Sequence, residues 1–178
     1  MVSLVAHAQQ LGDFKLTNVM NNRTISLSDY ASSQGLLIIF TSGSCPYDEY
    51  YRKRIAKVAD DYRDRIPVIL VNASPDEASS PEKMAARGKE LNFSVPYLAD
   101  TDQTLMAQLG ARKTPEAFLF RKEGGKFNVV YRGAIDDNPQ VEADVRHHYL
   151  RNAIDTMLGG GRIELPEARP VGCNLKRK

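Results

Sequence analysis

Long apolar runs and helical stripes divide this chain into readable segments. Leu36-Leu37-Ile38-Ile39-Phe40 and Pro67-Val68-Ile69-Leu70-Val71 are continuous apolar runs, the pattern of strands covered on both faces. Between them Tyr47, Tyr51, Ile55, Val58 and Tyr62 recur at helical spacing with charged residues in between, which predicts a helix from Tyr47 to Tyr62. A polar loop, Ser74 to Ser80, leads into a second helix from about Pro81 to Leu91. Thr104 to Leu109 reads as a short helix stopped by Gly110, and a last helix runs from about Asp144 to Leu158 before Gly159-Gly160-Gly161. Two hairpins flank this middle. Asp13–Leu16 and Thr24–Leu27 turn at Asn21-Asn22-Arg23, and Ala117–Phe120 and Val129–Tyr131 turn at Gly124-Gly125. From Arg162 onward the chain reads as an extended tail carrying Pro166 and Pro170. Hairpin, βαβα, hairpin and helix together predict an α/β fold, a mixed central sheet with helices on both faces.

The length of 178 residues suits one domain with a sizeable core. We expect that domain over residues 11–161, a cysteine-bearing tail over 162–178, and a remnant of an export signal over 1–10. The signal reading rests on Ala6-His7-Ala8, which resembles a signal-peptidase site behind the short apolar piece Val2 to Ala6. It implies a periplasmic or secreted protein; without it the chain reads as cytoplasmic. A net charge of +2 with interspersed signs gives no nucleic-acid stripe, and no run approaches membrane-spanning length. His147-His148 lie on the expected last helix, where adjacent side chains point about 100° apart, so no metal site is expected, and no cofactor.

Only two cysteines are present. Cys45 lies between a buried strand and the first turn of a helix, with Pro46 suited to the first helical position. Free N–H groups and partial positive charge at such a terminus favour a thiolate. An inert buried thiol is the alternative.

Three pieces resemble the thioredoxin fold, and within it the redoxin proteins related to peroxiredoxins. They are the strand–Cys45-Pro46-Tyr47–helix unit, the string Lys113-Thr114-Pro115-Glu116-Ala117-Phe118, and Tyr131-Arg132-Gly133-Ala134-Ile135-Asp136-Asp137-Asn138 taken with the end Pro170-Val171-Gly172-Cys173-Asn174-Leu175-Lys176. The third resembles a redoxin subgroup that ends in a Gly-Cys tail. The resemblance implies a thioredoxin fold with an N-terminal hairpin and a C-terminal tail. It also implies a cis bond before Pro115, and a groove of Thr114, Pro115, Pro46 and Tyr47 that pairs with an extended substrate. A trans X-Pro turn is the base-rate outcome. The subgroup carries Cys-x-x-Cys, and here Ser42 holds the first position, so an ordinary dithiol pair cannot form at Ser42 and Cys45.

Peroxiredoxins supply a second likeness. They carry Thr or Ser three residues before a Cys-Pro, and Ser42 has that spacing to Cys45. In this reading Ser42 donates a hydrogen bond to the Cys45 thiolate, and Cys45 attacks peroxide. Cys173, on a flexible tail, then resolves the sulfenic acid. The peroxiredoxin proline and arginine are replaced by Ile38 and Pro115, leaving Arg112 or Lys113 as cations for the thiolate. The expected function is thiol-based redox chemistry on a peroxide or protein disulfide, with a thiol reductant. The alternatives are a structural Cys45–Cys173 bridge and a non-catalytic binding module of the same fold. Oligomeric state carries no sequence signal.

Overall fold

A computed structural model describes residues 9–178; the expected cleavage site at Ala6-His7-Ala8 lies outside them. Eight strands form one sheet. In chain order they are β1 (Lys15–Asn18), β2 (Arg23–Ser26), β3 (Gly35–Phe40), β4 (Val68–Asn72), β5 (Tyr97–Ala99), β7 (Glu116–Glu123), β8 (Lys126–Gly133) and β9 (Glu167–Ala168). Their spatial order is β2-β1-β5-β4-β3-β7-β8-β9. The strands β3, β4 and β5 run parallel, whereas β7 returns antiparallel to β3. Among the described residues four α-helices complete the fold: α1 (Pro46–Tyr62), α2 (Pro81–Glu90), α3 (Thr104–Leu109) and α4 (Tyr149–Leu158). This is the mixed sheet the hydrophobic pattern predicts, in the thioredoxin arrangement the resemblance implies, preceded by the β1–β2 hairpin.

Strand β3 shows why the apolar runs fold this way. Side chains alternate across a strand. Leu37 and Ile39 join one cluster with Tyr51 and Ile55 of α1 and with Leu150 and Ile154 of α4. Leu36, Ile38 and Phe40 join the other with Leu105 and Leu109 of α3. All six residues of the strand are buried, so a run without polar positions is what its place demands.

Three expectations change. Strand β5 has only three residues between Pro96 and Asp100, too few for a pattern to emerge, and it is recognised by pairing with β4 and β1. Helix α4 begins at Tyr149 rather than Asp144. The Asp137 carboxylate accepts from the backbone N–H groups of Arg146 and His147, which holds that stretch out of the helix. His147 and His148 therefore precede α4 instead of lying on it.

The third change is the tail, which is pinned rather than flexible. Its strand β9 pairs in parallel with β8, and β10 (Cys173–Asn174) pairs antiparallel with β6 (Lys113–Thr114). Two glycines permit these contacts. A Cβ on Gly133, whose φ is +121°, would lie 1.8 Å from the Ala168 carbonyl oxygen. One on Gly172 would lie 2.2 Å from the Thr114 carbonyl oxygen.

Candidate redox site

Cys45 is the N-cap residue of α1, in extended backbone conformation, and Pro46 fills the first helical position. Its side chain is 4 % exposed. The end of β3 and the start of α1 bring it beside the loop before β7, where the Thr114–Pro115 bond is cis and both residues are buried. Strand β10 sets Cys173 directly opposite Thr114, and the two cysteines form a disulfide with Cα atoms 5.9 Å apart. Cys45 Sγ lies 3.4 Å from the Thr114 carbonyl oxygen. A disulfide sulfur carries no proton, so this is a contact in the oxidised form; a reduced thiol there has an acceptor ready.

Thr114 also links the sulfur to a buried acid. Its Oγ1 donates to Asp48 Oδ2 at 2.6 Å. Asp48 is 2 % exposed, and burial pushes its pKa up to about 6. The Thr114 and Thr41 side chains, the Ser42 backbone and the Arg87 charge oppose that rise. Among the described residues Asp48 Oδ1 has no hydrogen-bond partner. Asp48 shares the stripe of Tyr51, Ile55, Val58 and Tyr62. An acid on an apolar helical face is thus a signal the spacing carries, and it marks Asp48, which is absent from the expected site residues.

The remaining expected residues are distributed around this centre. Ser42 is buried, and its hydroxyl engages Ser44 Oγ at 3.0 Å rather than the sulfur. Ser44 in turn donates to Asp76 Oδ2 at 3.1 Å. Tyr47 is half-buried, its ring edge-on to that of Tyr50. The backbone N–H groups of Arg112 and Lys113 both donate to Glu116 Oε2. Lys113 Nζ donates to the Gly172 carbonyl oxygen, so its charge serves the tail backbone, while Arg112 is exposed. A cation unforeseen in the sequence, Arg87 of α2, packs near Gly43 and pairs with Glu49 of α1 at 3.0 Å.

The tail is held by more than the disulfide. Leu175 N–H donates to the Arg112 carbonyl oxygen, and the Leu175 side chain packs on the α3-side cluster. Gln103, 7 % exposed, donates to the Lys176 carbonyl oxygen and accepts from Lys178 N–H. Lys176 Nζ stands 3.5 Å from Asp76.

The acidic string after β8 anchors α1. Arg54 Nη1 donates to both oxygens of Asp136, at 2.8 and 2.7 Å, and to the Asn138 carbonyl oxygen. Tyr51 donates to Asp136 as well. The helix that presents Cys45 is thus tied to the segment after β8 by a buried ion pair.

The whole architecture is shared with solved structures. A hypothetical protein from Sinorhizobium meliloti 1021 is 29 % identical, with a TM-score of 0.87, over 98 % of this chain and 96 % of that one. An uncharacterized conserved protein from Geobacillus kaustophilus is 27 % identical, with a TM-score of 0.88, over 99 % and 94 %. A putative thiol:disulfide interchange protein DsbE from Chlorobium tepidum shares the fold at 17 % identity and a TM-score of 0.67, over 86 % and 98 %. Comparison with curated proteins finds no match. The AhpC/TSA family model matches residues 8–129, which include Cys45, Ser42 and the cis-proline loop, and the chain belongs to that family.

Proposed function

We propose that the protein is a thiol–disulfide oxidoreductase whose redox pair is Cys45 and Cys173. The carrying observation is the Cys45–Cys173 disulfide itself, formed at the start of α1 and across the strand edge beside cis Pro115. Cys173 takes the place of the thiol that Ser42 lacks. In the reduced protein the Cys45 thiolate attacks a client disulfide. One client sulfur becomes bonded to Cys45 Sγ, and the other leaves with the electron pair. Cys173 thiolate then attacks Cys45 Sγ, closes the internal disulfide and releases the second client sulfur as a thiolate. A dithiol reductant restores the starting state by the reverse exchange. The N-terminus of α1 stabilises the Cys45 thiolate as attacking group and as leaving group. Groups at this site stand in for a longer list of peroxidase features only at Ser42, whose spacing to Cys45-Pro46 supports peroxide reduction as the second reading.

Reduction of insulin by dithiothreitol, followed by turbidity, tests the first reading. The wild-type chain is expected to accelerate it, Cys45→Ser to abolish the acceleration, and Cys173→Ser to stall as a mixed disulfide after one equivalent. A wild-type chain no faster than the reductant alone removes the reading. Stopped-flow mixing of reduced protein with hydrogen peroxide tests the second, which stands only if Cys45 reacts faster than free cysteine. Failure of both leaves the non-catalytic binding module.

A further inference from the structure

The tail occupies the site beside Cys45 and cis Pro115. Cys173 and Asn174 pair with β6, Leu175 N–H donates to the Arg112 carbonyl oxygen, and the tail is joined to Cys45 by a disulfide, the bond a client would make. Each contact carries a requirement. The position before the cysteine runs so close to Thr114 that a Cβ there would meet its carbonyl oxygen at 2.2 Å and its carbonyl carbon at 2.8 Å. Only glycine fits. The position after the cysteine, Asn174, is exposed and asks for nothing. The next, Leu175, packs its side chain on the apolar cluster to which α3 contributes Leu105, Met106 and Leu109. The third, Lys176, faces Asp76, whose carboxylate is kept ionised by hydrogen bonds from Ser74 and Ser44. Gln103 reads only backbone, at the Lys176 carbonyl oxygen and Lys178 N–H.

We infer that the reduced protein, on the oxidoreductase reading above, prefers client segments of the form Gly-Cys-x-aliphatic-basic, bound in place of its own tail. The specificity-determining features are Thr114, through its backbone, Asp76, and the apolar cluster on the α3 side of the sheet. The client class is an extended polypeptide carrying a disulfide-bonded cysteine next to glycine, a stretch without helix or side chain to obstruct the edge.

The test uses the full chain with Gly172→Ala and Cys173→Ser, which unseats the tail and leaves Cys45 as the sole thiol. The probes are nonapeptides of sequence Pro-Val-Gly-Cys-Asn-Leu-Lys-Arg-Lys whose cysteine is capped as a disulfide with thionitrobenzoate. Cys45 attacks the peptide sulfur, the Cys45–peptide disulfide forms, and thionitrobenzoate leaves and is read by its absorbance. Replacing the peptide glycine by alanine is expected to slow the reaction about tenfold or more, since a clash worth one decade is small beside a 2.2 Å approach. Replacing leucine by asparagine is expected to slow it roughly tenfold. Replacing the first lysine by glutamate is expected to slow it by about 2–5-fold, an effect that fades in salt. The same ranking is expected in Cys173→Ser alone, where the seated tail slows every peptide alike, so a folding defect in the double variant does not decide the result. Equal rates for all peptides, with rapid reaction of free dithionitrobenzoate, overturn the preference and leave the oxidoreductase reading intact. Rates no faster than free cysteine for every probe overturn both.

Discussion

Asp48 carries the sharpest conflict between burial and charge in the molecule. Its pKa rises from 3.8 unfolded to about 6 folded because burial penalises the carboxylate more than Thr114 relieves it. A raised folded value means that the folded state holds the proton more tightly. The protein therefore loses stability as pH climbs from about 4 to about 6, and the loss is complete above that window. A shift of roughly two units corresponds to about 2–3 kcal/mol. Asp48→Asn keeps an acceptor for the Thr114 hydroxyl and removes the charge. It is expected to unfold at higher urea than the wild type at pH 8, by roughly that free energy, and to match it at pH 4. A difference that does not vary with pH is incompatible with this account. Removal of the carboxylate also takes a negative charge from the neighbourhood of Cys45, so the reduced variant is expected to alkylate with iodoacetamide at lower pH than the wild type.

Between elements, the buried Arg54–Asp136 pair ties α1, which begins at Cys45, to the segment after β8. Both side chains are buried, and Arg54 further donates to the carbonyl oxygens of Asn138 and Pro139. A buried pair is weak evidence for net stability, but removing one partner leaves the other charge stranded. Asp136→Ala is thus expected to cost about 3–5 kcal/mol. In thermal unfolding followed by circular dichroism this is a fall of roughly 10 °C for a domain of this size. The double replacement Arg54→Met with Asp136→Leu is expected to recover much of the loss, because no charge is then left unpaired. A single replacement as stable as the wild type rejects this role. The string from Tyr131 to Asn138 was legible as a family signature, yet its purpose was not. Residues 54 and 136 are 82 apart in sequence, and only the packed sheet brings them together.

For the molecule as a whole, the disulfide closes a loop of 128 residues. In the chain-entropy model such a closure disfavours the unfolded ensemble by about 4–5 kcal/mol. Reduction is expected to lower the urea midpoint accordingly, and Cys173→Ser to unfold like the reduced wild type. A reduced chain as stable as the oxidised one rejects the model. The same linkage joins stability to redox poise: whatever the bond adds to the folded state over the unfolded one, folding adds to the bond. Gln103, Leu175 and the β9 pairing hold the tail by contacts other than the bond, so Cys173 is expected to stay near Cys45 after reduction.

Local chemistry wrote much of this structure into the chain. Strand β3 needs burial on both faces and its residues are apolar throughout; α1 needs one buried stripe and has it; Cys45-Pro46 suits a helix start wherever the helix lies. These features depend on neighbours a few residues away, so periodicity and capping rules reach them. Contacts between distant segments obey no such local rule. The three-residue β5, the delayed start of α4, the pairing of Cys173 with the Thr114 edge, the ion pair of Arg54 with Asp136 and the buried bond of Thr114 to Asp48 each join segments that carry no mark of one another. Tertiary packing alone decided them, because burial and hydrogen-bond completion are satisfied over the whole fold and not along the chain.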